Sequence, residues 1–352
     1  MTTKGERLVF TPIESSNATE EHIKALRANQ GDGMPLYIPE MDYSTKDSKG
    51  FLPVKRGEII TILGRPGNGK TGFMLRWARA RANYLKSQTL EGNQTAANSV
   101  VLYLTMEQLV EELRLFHVAA EERISATHMA NGILPDDQWD TVNKALRNMY
   151  TTPLWFAGKS MARRKDKIRI DEQVTREALE AIEQFQGDNI KTQVDCVFID
   201  YLQRYRSTGA DWVQFYGDLT NALKDMASDF ATRIILGVQA KREVDQRDVP
   251  IPYMDDGQWT SAIEQQSDGM ISVTRPSHYK KQGETWDSKG DSVIIDGHKQ
   301  MIVNVMKRKL GPENFKQWVS FEPEYNKLDA LEVKNFNPNK DHDDYKKARN
   351  HV

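Results

Sequence analysis

Gly64-Arg65-Pro66-Gly67-Asn68-Gly69-Lys70-Thr71 is the stretch of sequence that decides the fold. It fits the pattern GxxxxGK(S/T), in which glycines allow successive backbone N–H groups to turn inward around a phosphate. In this phosphate-binding loop (P-loop, 64–71), Lys70 is expected to reach the β- and γ-phosphate oxygens, and the Thr71 hydroxyl to bind Mg²⁺. An apolar run precedes the loop and a helical pattern follows it, as the motif requires. The sequence therefore predicts ATP and Mg²⁺ as cofactors.

Three polar residues, Asp200, Glu107 and Gln239, close apolar runs of strand length elsewhere in the chain. A carboxylate at the end of such a run needs a stabilising partner, and Mg²⁺-bound water would provide one. Asp200 is therefore predicted to lie beside Mg²⁺ with Thr71. Glu107 is predicted to activate the attacking water, and Gln239 to complete the site. Glu107 is equally well explained as an acid favoured by the dipole of a helix that begins there.

Strand-like runs alternate with helical patterns from residue 51 onward. This alternation indicates an α/β fold, a mostly parallel sheet flanked by helices. After residue 290 the pattern becomes antiparallel: Val293–Ile295, the turn Asp296-Gly297 and Met301–Met306 predict a hairpin. The strand-like runs are Glu58–Leu63, Val100–Leu104, Val197–Ile199, Ile234–Val238, Met270–Val273 and Trp318–Phe321.

Composition limits the function classes. The chain has 352 residues and a formal net charge of −2, so only local basic groups can hold a nucleic acid. Its single cysteine, Cys196, excludes a disulfide framework. The N-terminus is polar and no apolar stretch reaches the length of a membrane span. We therefore expect no membrane contact and a cytoplasmic location, in the host cytoplasm if a phage encodes the chain.

The chain divides into three predicted segments. Residues 1–49 form a polar extension with one short helical pattern, Thr19–Ala28, which Thr19 can cap. Residues 50–328 form the ATPase domain. Residues 329–352 carry mixed charge and little apolar periodicity, which predicts a disordered tail.

Seven segments between about Gly50 and Leu328 resemble those of one family. In chain order they are Gly64–Thr71, Leu104-Thr105-Met106-Glu107, Ile199-Asp200-Tyr201-Leu202-Gln203, Gln239–Arg247, Ala262-Ile263-Glu264-Gln265, Lys307–Pro312 and Phe321-Glu322-Pro323-Glu324-Tyr325. They resemble the ATPase domain of the DnaB-type replicative helicases, a branch of the RecA-like P-loop ATPases. IDYLQ matches the family signature without a change.

The resemblance implies a homo-hexameric ring that encircles single-stranded DNA at a replication fork. The ring would hydrolyse nucleotide at subunit interfaces and unwind duplex DNA 5′ to 3′. The family also places two loops in the central channel. The first would be Tyr205–Trp212, with Arg204 and Arg206 as candidate phosphate contacts, and the second Val249–Ser261. A solvated loop explains the two arginines equally well.

The chain departs from the family at the arginine finger, the residue that reaches a neighbour's γ-phosphate. Lys309 occupies this position, with Lys307 as its companion. Strand alternation puts both lysines on one face and Arg308 on the other, so Arg308 could serve only after a register slip. Lysine keeps the charge but loses the planar, two-pronged donor, so transition-state stabilisation is expected to weaken.

Two further departures concern DNA and partners. In the second channel loop, Gln258 stands at the family's DNA-contacting arginine and Trp259 at its glutamate. Fewer than 50 residues precede the ATPase domain, so the family's N-terminal collar is expected to be absent, and Thr19–Ala28 would be a linker helix docking on the adjacent subunit. Ring assembly would then depend on a primase, loader or polymerase partner.

Two other functions compete with a DNA-unwinding motor. The same fold serves RecA-like DNA-binding remodelling ATPases, such as loaders, recombination mediators, and defence or transposition subunits. The lysine at the finger position, Gln258 and the missing collar favour that alternative. A small-molecule P-loop kinase would need a substrate lid, and nothing in the sequence indicates one.

Overall fold

The computed structural model describes residues 13, 15–16, 19–21, 23–24, 32–46, 48–161, 172–184, 192–205, 212–257, 261–288, 291–295, 297 and 299–330. The chain divides into two compact units, residues 1–34 and 35–352. The second unit carries every element numbered below.

The second unit alternates strands and helices before it becomes antiparallel. Its strands are β1 (Ile59–Gly64), β2 (Ser99–Thr105), β3 (Leu154–Gly158), β4 (Gln193–Asp200), β5 (Arg233–Gln239), β6 (Gly269–Thr274), β7 (Thr285–Ser288), β8 (Asp291–Ile294), β9 (Gln300–Arg308), β10 (Phe315–Glu322) and β11 (Lys327–Ala330). Its α-helices are α1 (Lys70–Leu90), α2 (Gln94–Ala97), α3 (Val110–Glu122), α4 (Ala126–Asn131), α5 (Asp136–Asn148), α6 (Glu172–Glu183), α7 (Trp212–Asp229) and α8 (Ser261–Gln266).

Nine of these strands form one sheet, in the order β11-β10-β9-β6-β1-β5-β4-β2-β3. The strands from β3 to β6 in this order run parallel, and β9, β10 and β11 continue the sheet antiparallel. β1, β2, β5 and β6 are apolar and almost wholly buried, which is typical of a parallel sheet covered on both faces. The predicted α/β fold with an antiparallel C-terminal part is confirmed.

The segment just after residue 34 packs on α1. Trp77 Nε1 of α1 donates to the Pro35 carbonyl over 2.7 Å, and Arg76 donates to the Leu36 and Tyr37 carbonyls. On its other side the Trp77 ring meets Phe198 of β4 edge to face, with centroids 6.0 Å apart. Residues from 35 onward therefore belong to the ATPase unit, earlier than the expected boundary at residue 50.

The predicted hairpin of Val293–Ile295 and Met301–Met306 is wrong. β8 instead pairs with β7 in a separate two-stranded sheet, while β9 pairs with β6 on one side and β10 on the other. Both edges of β9 are therefore occupied. The buried Trp286 of β7 packs with Trp318 and other apolar side chains, and this contact makes a strand from a segment that we expected to be a flexible insertion.

Both ends of the chain differ in detail from expectation. Ile13 is already helical, and the Thr19 hydroxyl donates to the Ser15 carbonyl over 2.8 Å. Thr19 therefore lies inside the N-terminal helix and does not cap it; residues 25–31 lie outside the described residues. At the other end, β11 pairs with β10 as far as Ala330, so the predicted tail begins after it, outside the described residues.

A buried charge cluster anchors β4 to the rest of the core. Asp195 is fully buried, and it accepts hydrogen bonds from Arg81 over 2.7 and 2.8 Å and from Arg233 over 2.9 Å. Arg56 lies 3.2 Å away. Burial opposes ionisation, but the arginines outweigh it and lower the pKa of Asp195 to about 2. The cluster is structural, because its hydrogen bonds lie within the core.

Candidate active site

The P-loop connects β1 to α1, and two of its glycines have backbones that other residues rarely adopt. Gly67 and Gly69 have φ angles of 79° and 85°. A Cβ on Gly69 would lie 2.4 Å from Met301 Cε, and one on Gly67 would lie 2.9 Å from His278 Cε1. Positive φ and close neighbours together require glycine at both positions. These turns leave a loop that can wrap a phosphate.

Lys70 and Thr71, the first residues of α1, both contact Asp200 at the end of β4. Lys70 Nζ lies 2.6 Å from Asp200 Oδ1, and the Thr71 hydroxyl donates to Asp200 Oδ2 over 2.6 Å. The Tyr103 hydroxyl, from β2, donates to the same Oδ2 over 3.1 Å. Burial disfavours the carboxylate, but Lys70 and these hydrogen bonds outweigh burial and hold the pKa of Asp200 below its usual value.

A cavity of about 590 Å³ opens at this edge of the sheet. The predicted site residues Glu107 and Gln239 line it together with the P-loop and Asp200. The parallel register explains this convergence, since Gly64 pairs with Gln239 and Thr105 with Asp200. The site also contains residues that the sequence did not predict, namely Tyr103, Tyr201, Phe116, Arg275 and Asn326.

The residues present fit a magnesium–nucleotide complex. A hydroxyl and a carboxylate, from Thr71 and Asp200, offer the oxygen ligands that Mg²⁺ prefers. Mg²⁺ usually takes one or two protein ligands and completes its coordination with phosphates and water. In keeping with this, no group of three or more His, Cys, Asp or Glu side chains suited to a metal occurs within the described part of the chain. A phosphate is the missing component, and the P-loop is shaped to hold one.

The end of β5 is tied to the segment after β4 by a reciprocal pair of hydrogen bonds. The Gln239 backbone N–H donates to Gln203 Oε1 over 3.1 Å, and Gln203 Nε2 donates to the Gln239 carbonyl over 3.4 Å. Gln203 is the last residue of IDYLQ, and the resemblance alone assigned it no role. It fixes the backbone of Gln239 beside the cavity.

The candidate finger residues lie at the opposite edge of the sheet from the P-loop. Arg308 pairs with Gly269 in β6, and Gly269 pairs with Ile60 in β1, four residues before Gly64. At about 3.3 Å per residue, this places Lys309 roughly 13 Å or more from the P-loop of its own chain. Lys309 Nζ instead lies 3.6 Å from Asp268 Oδ1.

The three basic residues at the end of β9 have different environments. Lys307 Nζ donates to the Glu264 carbonyl over 2.7 Å, and the Lys309 side chain is 63% exposed. Arg308 is buried; it donates to the Leu52 and Pro53 carbonyls and lies 2.7 Å from Glu58. Arg308 is therefore a structural residue, and a register slip that presents it as the finger is excluded.

The candidate DNA-contacting residues are only partly described. Arg204 ends a short 3₁₀ turn that follows β4, whereas Arg206, Gln258 and Trp259 lie outside the described residues. The start of the second loop is described as far as Gly257. Arg247 forms an ion pair with Asp256, with the closest N–O contact 2.5 Å, so the two ends of this segment are held together.

No helix within the described ranges is both long enough and apolar enough to cross a membrane. The lengths and side chains of those helices instead suit packing against the sheet.

Comparison with known proteins identifies the family. The family model for the DnaB-like helicase C terminal domain matches residues 40–330. The chain is 25% identical over 319 residues to the replicative DNA helicase DnaB of Geobacillus stearothermophilus and to the replicative DNA helicase DnaC of Bacillus subtilis (strain 168). Each alignment covers 89% of this chain and 60% of the relative, so the chain spans about 60% of the length of these curated relatives.

Solved structures agree on the fold. A chain from "The Structure Of A DnaB-Like Replicative Helicase And Its Interactions With Primase" superimposes with a TM-score of 0.66 at 20% identity, covering 92% of this chain and 68% of that one. A second solved structure, of an isolated ATPase domain, gives 0.67 at 20% identity, covering 92% of this chain and 100% of that one. The sheet order, the P-loop and the matched range agree: this chain belongs to the family of the DnaB-like helicase C terminal domain.

Proposed function

We propose that the chain is an ATP-dependent DNA helicase motor that assembles as a homo-hexameric ring on single-stranded DNA and unwinds duplex DNA 5′ to 3′. One observation carries the proposal. Lys70, Thr71 and Asp200 meet in a cavity that Glu107 and Gln239 also line, in a chain of the DnaB-like family. The replicative helicases among its relatives support DNA unwinding as the use of this site.

Each residue has a proposed part in hydrolysis. The backbone N–H groups of the P-loop hold the phosphates, and Lys70 exchanges Asp200 for the β- and γ-phosphate oxygens. Thr71 and Asp200 hold Mg²⁺, which when bound neutralises phosphate charge. Glu107 orients the attacking water and accepts its proton.

The remaining residues act between subunits or on DNA. Gln239 reports the state of the γ-phosphate to the segments that follow β4 and β5. Lys309, with Lys307 beside it, reaches the nucleotide of a neighbouring chain. Arg204, Arg206, Gln258 and Trp259 contact single-stranded DNA: the arginines at phosphates, and the amide and indole at bases.

The test is unwinding of a forked duplex with a 5′ single-stranded tail, with Mg²⁺-ATP at modest salt and micromolar protein. We expect strand separation together with ATPase activity that single-stranded DNA stimulates. Lys70→Ala should abolish both activities. Lys86→Ala is the matched control and should retain them, because Lys86 lies on the same helix but donates to Thr151 over 3.1 Å, away from the P-loop. A wild-type chain that hydrolyses ATP but never separates the fork would contradict the motor.

A DNA-remodelling ATPase without processive unwinding is the second candidate. The lysine at the finger position favours it, because a point charge stabilises a phosphoryl transition state less specifically than a guanidinium does. Imaging of the protein with single-stranded DNA and a non-hydrolysable ATP analogue separates the two. A closed six-fold ring supports the motor, and a filament or an open assembly supports remodelling.

A further inference from the structure

Two polar side chains of the P-loop, Arg65 and Asn68, are bonded into one hydrogen-bonded circuit outside the loop. Arg65 Nε donates to Asp245 Oδ2 over 2.8 Å, and Asn68 Nδ2 donates to the Tyr279 hydroxyl over 3.0 Å. The Tyr279 hydroxyl in turn donates to Asp245 Oδ1 over 2.9 Å. Asp245 follows β5 and Tyr279 follows β6, so the circuit joins three separate segments of the chain.

Asn68 is the most constrained member of this circuit. It is 2% exposed, and its Oδ1 accepts from the Arg275 backbone N–H over 2.7 Å while its Nδ2 donates to Tyr279. Both ends of the amide are therefore held. A change in the backbone of the P-loop at Asn68 must move Tyr279 or break this bond.

The other end of Tyr279 contacts a different part of the molecule. Its ring packs in an apolar cluster with Val249, Ile251 and Trp286, and the centroids of the Tyr279 and Trp286 rings are 6.3 Å apart. Val249 and Ile251 begin the segment 249–257, the described part of the second candidate channel loop. One side chain thus contacts the P-loop through its hydroxyl and the base of this loop through its ring.

We propose that Tyr279 is a positioning residue that transmits occupancy of the P-loop to segment 249–257. The role of this segment toward DNA rests on the function proposed above. When a phosphate draws the P-loop inward, Asn68 shifts the Tyr279 hydroxyl, and the ring shifts Val249 and Ile251. A single neutral hydrogen bond changes an equilibrium by roughly two- to tenfold, which sets the scale of the expected effect.

Hydrogen exchange followed by mass spectrometry on the full chain tests this proposal, with and without Mg²⁺ and a non-hydrolysable ATP analogue. In the wild type, we expect the analogue to slow exchange in both the P-loop and segment 249–257. In Tyr279→Phe, which removes only the hydroxyl, the P-loop should still be protected. The response of segment 249–257 should fall by roughly two- to tenfold. Tyr150→Phe removes the same atom at a 76% exposed position and should match the wild type.

Two outcomes would overturn the proposal, and they differ from failure of the proposed function. A protected P-loop with an equal response of 249–257 in wild type and Tyr279→Phe rules out the relay. Faster exchange of 249–257 in Tyr279→Phe without nucleotide, with the nucleotide response intact, shows a purely structural brace. A wild-type P-loop that the analogue never protects contradicts the nucleotide site itself.

Discussion

Lys70 Nζ and Asp200 Oδ1 form an ion pair 2.6 Å long across the mouth of the P-loop. Their side chains are 11% and 7% exposed, so neither charge is well solvated. The lysine that is to meet the phosphates is therefore held by the carboxylate that is to meet Mg²⁺. A magnesium–nucleotide complex supplies both charges with new partners at once, which keeps the exchange electrostatically balanced.

Asp200→Asn should separate the stabilising and catalytic parts of this pair. The folded-state pKa of Asp200 is lowered, so its charge stabilises the protein at neutral pH, and this contribution disappears as the pH falls through that pKa. We expect the variant to lose roughly 1–3 kcal/mol of unfolding free energy at pH 7, measured by urea denaturation. Its ATPase rate should fall by about 100-fold or more, because one Mg²⁺ ligand is neutralised. Wild-type hydrolysis would contradict this assignment.

Lys309→Ala should impair hydrolysis without affecting folding. The side chain is 63% exposed, so the unfolding free energy should change by no more than about 0.5 kcal/mol. We expect the ATPase rate to fall by about 100-fold, below the full value of an arginine finger because lysine is the weaker donor. Lys309→Arg should raise the rate above wild type for the same reason.

The adjacent Arg308→Ala is the contrasting variant. It leaves Glu58 without its buried partner and should cost roughly 3–5 kcal/mol of stability. If Lys309→Ala unfolds the chain, or if its ATPase rate equals that of the wild type, the assignment of Lys309 to catalysis is wrong.

Asp195→Asn should destabilise the protein strongly, because it leaves Arg81 and Arg233 buried without a counter-charge. The expected loss is roughly 3–5 kcal/mol of unfolding free energy at pH 7. The pKa of Asp195 is lowered from 3.8 to about 2, so its stabilisation is complete above pH 4 and is lost as the pH falls toward 2. The difference between wild type and variant in urea denaturation should therefore shrink over that range. Asp140→Asn, an exposed carboxylate on α5, should change stability by no more than about 0.5 kcal/mol.

His117 should make the protein less stable in mild acid. Burial, reinforced by Arg79 and Arg114, lowers the pKa of His117 from 6.5 to about 3, so the folded protein keeps this imidazole neutral. The unfolded chain protonates first, and stability therefore falls as the pH drops below 6.5. Between pH 7.5 and 5 this amounts to about 2 kcal/mol, at roughly 1.4 kcal/mol per pH unit. His117→Gln should flatten the curve of unfolding free energy against pH; an unchanged slope would contradict the assignment.

The sequence is most informative where function depends on local motifs and strand ends. The P-loop has a pattern of its own, and Asp200, Glu107 and Gln239 could be grouped because parallel strands end at one edge of a sheet. Tyr103 could not be placed there, because its hydroxyl belongs to an apolar strand and meets Asp200 only after the strands pair.

Contacts between distant segments account for the wrong expectations. The local turn signal Asp296-Gly297 suggested a hairpin, but the pairing of β8 depends on the burial of Trp286 against Trp318. Alternation placed Arg308 opposite the lysines, yet its burial depends on Glu58, 250 residues earlier in the chain. The bond of Tyr279 to Asn68 likewise spans 211 residues. Such pairings depend on tertiary packing, which no local period encodes.

The separation between the P-loop and Lys309 within one chain has a consequence for genetics and dosage. A Lys309 that acts on nucleotide acts on one held by another copy, so the catalytic unit is a junction and dilution alone would switch it off. Chains carrying Lys70→Ala and chains carrying Lys309→Ala would each be inactive. Mixed, they would rebuild working junctions wherever an intact P-loop faces an intact lysine. Complementation between two defective copies would thus reveal a shared site, and an excess of either defective copy would inhibit the wild type.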